Sequence, residues 1–263
     1  MDGPGDAVGV NIGGAYLANK ITGRGVGLYG SASSQVLIAN NIVDTEGAAL
    51  SILGLDDGVS ILNNTFLSGG TNPSQASVIK IGRYDGNDPA SYSHNPVIDF
   101  RNNLVMDDDP SSNSYCLSFF NVRYFNRSRI DSNNYFGCRG FGSFHQGPPK
   151  WPGFFPSSVF SAASLEESLE QWRSFLLSAP DQSNSDHSNE DTSLISPPHE
   201  TFESYQDGDL RPALGGSALD NGSSANSPSS DYSGGVRPVD IYSQGRDSTG
   251  EAHDRGAIER PCL

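Results

Sequence analysis

The chain has few basic residues, few cysteines and no long apolar run. Of 263 residues, 16 are Lys or Arg and 31 are Asp or Glu, for a formal charge of −15. No basic stripe is present, which argues against nucleic acid as a partner. The same charge disfavours polyanionic sugars unless a cation or a local basic patch intervenes. The three cysteines (Cys116, Cys138, Cys262) cannot all pair, and no spacing among them resembles a metal site. Cysteine usage therefore leaves the compartment open. No run approaches transmembrane length, and no charged-then-apolar leader opens the sequence. Instead "AVGVNI" reads as a core strand from Ala7. A solenoid that starts so abruptly has an uncapped end, so the sequence is expected to be the C-terminal part of a longer protein or to carry a mis-called start.

What the sequence does have is 30 glycines, abundant Ser, Asn and Asp, and a recurring Asn-Asn pair. "VLIANNIV" can be laid without gaps under "YLANKITG", "SILNNTFL", "DFRNNLVM" and "RIDSNNYF". The leading polar position is then Asn19, Asn40, Asn63, Asn102 and Ser132, preceded at two residues by Leu17, Ile38, Ile61, Phe100 and Ile130. The spacings are 21, 23, 39 and 30, so the base period is about 22 with two insertions. That period marks a solenoid whose repeats bury their apolar faces only by stacking. Alternation with period two (Val36, Ile38; Val59, Ile61; Ile98, Phe100) excludes helical repeats. A Leu-x-x-Leu-x-Leu frame is absent. The expected fold is all-β, a parallel β-helix with three strands per coil. Asn tolerates a left-handed bend, and its amide both donates and accepts, so stacked Asn side chains would form a ladder.

The first strand of each coil is placed near Val8–Ile12, Val26–Gly30, Ala48–Ile52, Val78–Ile81 and Tyr115–Phe119. The turn after it lengthens along the chain, up to "GRYDGNDPASYSHNP" at 82–96. Long loops on a rigid solenoid make its binding surface. Residues 1–140 are read as coils, and 141–263 as a Pro/aromatic connector, a short helix at about 164–177 and an irregular closing tail. In the helix, Ser164 and Glu167 form a capping box, while Leu165, Leu169, Trp172 and Leu176 share one face with Trp172 as a packing residue. Residues 181–200 and 221–235 are polar enough to be loose.

On these residues the chain resembles bacterial right-handed parallel β-helix proteins of the pectate-lyase-like superfamily. The coils "VLIANNIV" and "VSILNNTF" match its repeat. "SLEESLEQW", "GDLRPALGGSALDNG", "VDIYSQGR" and "DRGAIE" match a choice-of-anchor type C-terminal region. The resemblance implies an extracellular or cell-surface location, with a tail that closes the last coils. It does not select an activity, because the superfamily includes lyases, hydrolases, epimerases and silent adhesins.

In that superfamily the substrate lies along the outer face of one stacked sheet. Aligning the first strands gives an outward column of Asn11, Tyr29, Ser51, Lys80 and Ser118, in which Lys80 is the sole cation. The insertion after it brings Arg83, Tyr84, Asp85, Asp88, Tyr92 and His94. β-Elimination from a uronic acid needs a tunable base, a cation for the carboxylate and a proton donor for the leaving oxygen. Lys80, Arg83, Tyr84 and His94 are the candidate catalytic residues, with Tyr29, Asp85 and Tyr92 as substrate contacts. The bland reading of the same residues is a solvated lysine and a polar loop. A second candidate is carboxylate pairs (Asp44 with Glu46, Asp56 with Asp57, and the run Asp107–Asp109), which would suit a glycoside hydrolase or Ca²⁺. Against it, acidic residues are ordinary turn formers. The sequons at Asn63, Asn126 and Asn221 are weak, and a glycan would not fit in the ladder at Asn63. The expected function is a monomeric module that binds or processes polysaccharide, as a lyase if catalytic. The rivals are a non-catalytic adhesin or stalk, and an inert fragment.

Overall fold

The structure is a computed structural model and describes residues 14–32, 35–55, 58–69, 77–82, 97–109, 114–120, 128–145, 158–178, 192–219, 221–223, 227–237 and 253–260. Three sheets carry the fold, each built by strands that return once per coil. The first holds β1 (Gly14–Leu17), β4 (Val36–Ala39), β7 (Val59–Leu62), β10 (Ile98–Arg101) and β13 (Arg129–Asp131). The second holds β2 (Lys20–Gly23), β5 (Ile42–Thr45), β8 (Thr65–Ser68), β11 (Leu104–Asp107), β14 (Asn134–Phe136) and β17 (Leu194–Ile195). The third holds β3 (Leu28–Ala32), β6 (Leu50–Leu55), β9 (Ser77–Gly82), β12 (Tyr115–Phe120), β15 (Gly140–His145) and β16 (Ser158–Phe160). All neighbours pair in parallel except β15 with β16. The chain is an all-β parallel solenoid.

Alternation fixes which side chains meet. Ile38, Ile61, Phe100 and Ile130 stack in register across β4, β7, β10 and β13, all at 2 % exposure or less. Val43, Phe66, Val105 and Tyr135 do the same in the second sheet. Each such side chain stabilises by roughly 1.5–3 kcal/mol when fully buried. At the far end, helix α1 (Leu165–Ser178) closes the core. Trp172 is buried and stacks on Phe119 at 5.4 Å, with Phe160 edge-on at 5.1 Å. The Glu167 amide donates to Ser164 Oγ at 3.2 Å, the N-cap half of the expected box.

The bend between first and second sheets is two residues, and the Asn pair divides two tasks between them. The leading residue takes a left-handed conformation in every coil: Ala18, Asn40, Asn63, Asn102 and Ser132, with φ from 54° to 58°. The second residue makes the ladder. Asn41 Nδ2 donates to Asn64 Oδ1 at 2.9 Å, Asn64 Nδ2 to Asn103 Oδ1 at 3.0 Å, and Asn103 Nδ2 to Asn133 Oδ1 at 3.1 Å. Asn19 Nδ2 joins from one side, donating to Asn41 Oδ1, and Ser193 Oγ ends the row by accepting from the Asn133 amide. Asn63 and Asn64 are fully buried, so no glycan fits there.

Three expectations need correction. In the first repeat the frame shifts by one, because Tyr16 pairs with Ile38. Ala18 therefore holds the bend, Asn19 aligns with Asn41, and Leu17 points outward at 49 % exposure. Residues 192–200 are not loose: β17 adds to the second sheet and α2 (Pro198–Thr201) follows it. Much of 221–235 is also docked. Ser230 and Ser223 offer carbonyls to the amides of Asn40 and Asn102, and Asp254 offers its carbonyl to Asn63. The closing tail runs along the bend column and binds the amides that the ladder does not use.

Candidate functional site

The third sheet places Lys80 between Ile79 and Ile81, which both point into the core, so Lys80 projects outward. Register confirms the column: Tyr29 pairs with Ser51, Ser51 with Lys80, Lys80 with Ser118, and Ser118 with Ser143. Ser143 is a member that the sequence alignment missed, although alternation in "GFGSFH" carries it. The column is less open than expected. Ser51, Ser118 and Ser143 are buried at 4 %, 1 % and 1 % exposure, and the hydroxyls of Ser118 and Ser143 touch. Tyr29 is 42 % exposed and Lys80 is half-buried. Burial holds the Lys80 ammonium below its ordinary pKa, which raises the share of neutral amine able to act as a base.

Gly82 ends β9 with φ +136°, and a Cβ there would sit 1.9 Å from Phe120 O. The chain can leave the sheet at this point only as glycine. Connections from third to first sheet all leave at this corner. They span three residues (33–35), three (56–58), fifteen (83–97) and eight (121–128), so the longest leaves the strand that carries Lys80 and the next longest leaves the following coil. Arg83, Tyr84, Asp85, Asp88, Tyr92 and His94 lie outside the described residues, as do Asn11, Asp56, Asp57 and Asn126.

Of the carboxylate candidates, Glu46 and Asp107 have partners within the fold. Glu46 meets Arg24 at 3.7 Å on an exposed surface. Asp107 is buried, accepts from the Asp109 amide at 3.1 Å and contacts Ser114 Oγ, as a turn former does. Among the described residues no group of three or more His, Cys, Asp or Glu side chains fits a metal ion.

The tail holds a buried charge network that no periodic signal in the sequence marks. Arg237 and Glu259 pair at 3.1 Å with both side chains buried, and Arg237 also donates to the carbonyls of Asp254 and Gly256. Arg255 donates to carbonyls of Asn133, Thr192 and Asn221, tying a coil to two tail segments. Asp254 Oδ2 accepts from the Arg260 amide at 2.7 Å. His253 is 5 % exposed, and desolvation together with Arg237 lowers its pKa to about 4. Cys116 and Cys138 form a disulfide across 22 residues of sequence. No family model, no curated protein and no solved structure matches the chain.

Proposed function

We propose that the chain is an exported module with the right-handed, three-sided form of the parallel β-helix, and that it engages a polysaccharide at the corner between third and first sheets. Right-handed crossover is the rule for parallel connections. The observation that carries the reading is Lys80: one half-buried lysine on an outward column, two residues before the longest insertion, with its pKa lowered by desolvation. With Arg83 to neutralise a carboxylate and Tyr84 or His94 to protonate the leaving oxygen, the set suits lyase-type elimination. Tyr29, Asp85 and Tyr92 would contact the sugar. The disulfide supports an oxidising, extracellular or cell-surface setting. Among the described residues no helix is long and apolar enough to cross a membrane.

A second reading, a non-catalytic adhesin or stalk, draws on the burial of Ser51, Ser118 and Ser143, which leaves Tyr29 and Lys80 as the accessible members of the described column. Incubation with uronic-acid polymers separates the two. A lyase releases an ultraviolet-absorbing unsaturated product that Lys80→Ala and Arg83→Ala abolish without loss of β circular dichroism. Absence of product with retained polymer binding favours the adhesin, and absence of both removes the polysaccharide reading.

A further inference from the structure

Residues Pro198 to Asp207 lie against the outside of the second sheet and form a groove of about 410 Å³, with His199, Phe202, Glu203, Ser204, Tyr205 and Asp207 in its lining. Its base is apolar. Phe202 is buried with Leu67, Leu104 and Met106, and Tyr205 stacks on Phe202 at 5.6 Å and 14°. The Tyr205 hydroxyl donates to Asp108 Oδ2 at 3.3 Å, and that acceptor enriches the electron density of the ring. Asp108 is itself held above the ordinary carboxylate range by burial and by the charges of Asp44 and Asp107. Asp44 and Asp107 add negative charge beside it.

The nearby cations are already engaged. Arg260 is committed to Glu203 and to the Pro212 carbonyl, and Arg211 clasps Asp209. His199 is exposed beside Glu200 at 3.6 Å. The groove thus combines an electron-rich aromatic wall with carboxylates at its edge. A bare metal ion would leave the ring unused, whereas an alkylated or protonated amine uses ring face and carboxylate together.

We propose that this groove binds an organic ammonium group, a protonated or quaternary amine on a small molecule, seated at the Tyr205 ring with Asp207 at its edge. The site is separate from the Lys80 column and does not depend on it. The test is a nuclear magnetic resonance titration of the isotope-labelled full chain with tetramethylammonium chloride, against sodium chloride at equal ionic strength. Saturable shifts centred on Tyr205 are expected with the ammonium salt and not with sodium. A cation–π contact is worth about 0.5–2 kcal/mol, so Tyr205→Leu should weaken binding roughly 2- to 30-fold. Asp207→Asn, at an exposed position that leaves the aromatic stack intact, should weaken it about threefold, in line with a screened surface charge. Equal shifts with sodium, saturation centred elsewhere, or unchanged affinity in Asp207→Asn and Tyr205→Leu would overturn the assignment. If Tyr205→Leu fails to fold, the Asp207→Asn titration and the sodium control decide alone.

Discussion

Asn63 and Asn64 are neighbours of the same type with different tasks, so replacing each in turn separates ladder from strap. In Asn64→Ala the amide and Nδ2 of Asn41 lose Asn64 Oδ1, at 3.0 and 2.9 Å. Asn41 Nδ2 keeps the carbonyls of Tyr16 and Ala39, but the Asn41 backbone N–H loses its side-chain acceptor inside the solenoid. A buried donor left in that state costs about 1–3 kcal/mol, and the lost ladder bonds add about 1 kcal/mol net. The expected loss is about 2–4 kcal/mol. Asn63→Gly keeps the left-handed bend at φ 54° and gives up one bond, to an Asp254 carbonyl that also accepts from Arg237. That should cost about 1 kcal/mol. Asn63→Ala adds the left-handed penalty of about 1–2 kcal/mol. Urea unfolding followed by tryptophan fluorescence, to which Trp151 and Trp172 both contribute, ranks the three. If Asn63→Gly costs as much as Asn64→Ala, the division of labour within the pair is wrong.

The pH dependence of stability should carry a signature of His253. Its folded pKa of about 4 lies below the ordinary 6.5, so the unfolded chain takes up a proton that the folded chain refuses. That destabilisation is absent above pH 6.5, grows as pH falls towards 4 and is complete below it, at about 3 kcal/mol at most. His253→Gln should flatten that part of a stability-against-pH curve; an unchanged slope between pH 6.5 and 4 would place the titration elsewhere. Arg237→Met should cost about 3–5 kcal/mol by breaking its buried ion pair with Glu259, while Arg237→Met with Glu259→Leu should recover most of it; additive losses would count against the pair. Gly82→Ala should prevent proper closure of β9 on β12, seen as a lost cooperative transition, whereas a mild effect would mean that the backbone at Phe120 yields.

The period-two alternation and the Asn pair were enough to find the coils, because both are local and repeat with the stacking. The one framing error has a physical cause. "YLANK" offers a single Asn, and the alignment placed it in the bend, yet the ladder needs Asn in the second position and the bend accepts Ala18. Asn40, Asn63 and Asn102 carry amides in the bend because the tail binds them; no described tail carbonyl accepts at Ala18. A closing tail is legible from its motifs, but its docking on the bends is not, since those contacts span 121 to 191 residues and follow no period. Of the candidate site, the outward column was legible from alternation alone. The closure over Ser118 and Ser143 was not, because alternation says which way a side chain points and nothing of what covers it.

The same tail narrows where a ligand can lie. Outside the second sheet, Leu67, Leu104 and Met106 face Phe202 and Ala218, so the strands themselves are covered there and the groove beside Tyr205 belongs to the tail that covers them. At the bend column the amides of Asn40, Asn63 and Asn102 are spent on Ser230, Asp254 and Ser223. A solenoid has few faces, and two of its lateral features are consumed by the chain's own C-terminal residues. The corner between third and first sheets differs from both. Its connections grow from three residues to fifteen at the level of Lys80, and Gly82 provides the exit that only glycine allows. Loop length is thermodynamically cheap on a rigid frame, so it accumulates where it does not disturb stacking. Stacking is undisturbed here, since β9 and β10 keep their parallel registers on both sides of the insertion. The frame therefore holds Lys80 in a fixed register while the length of the following connection is set independently of the stacking.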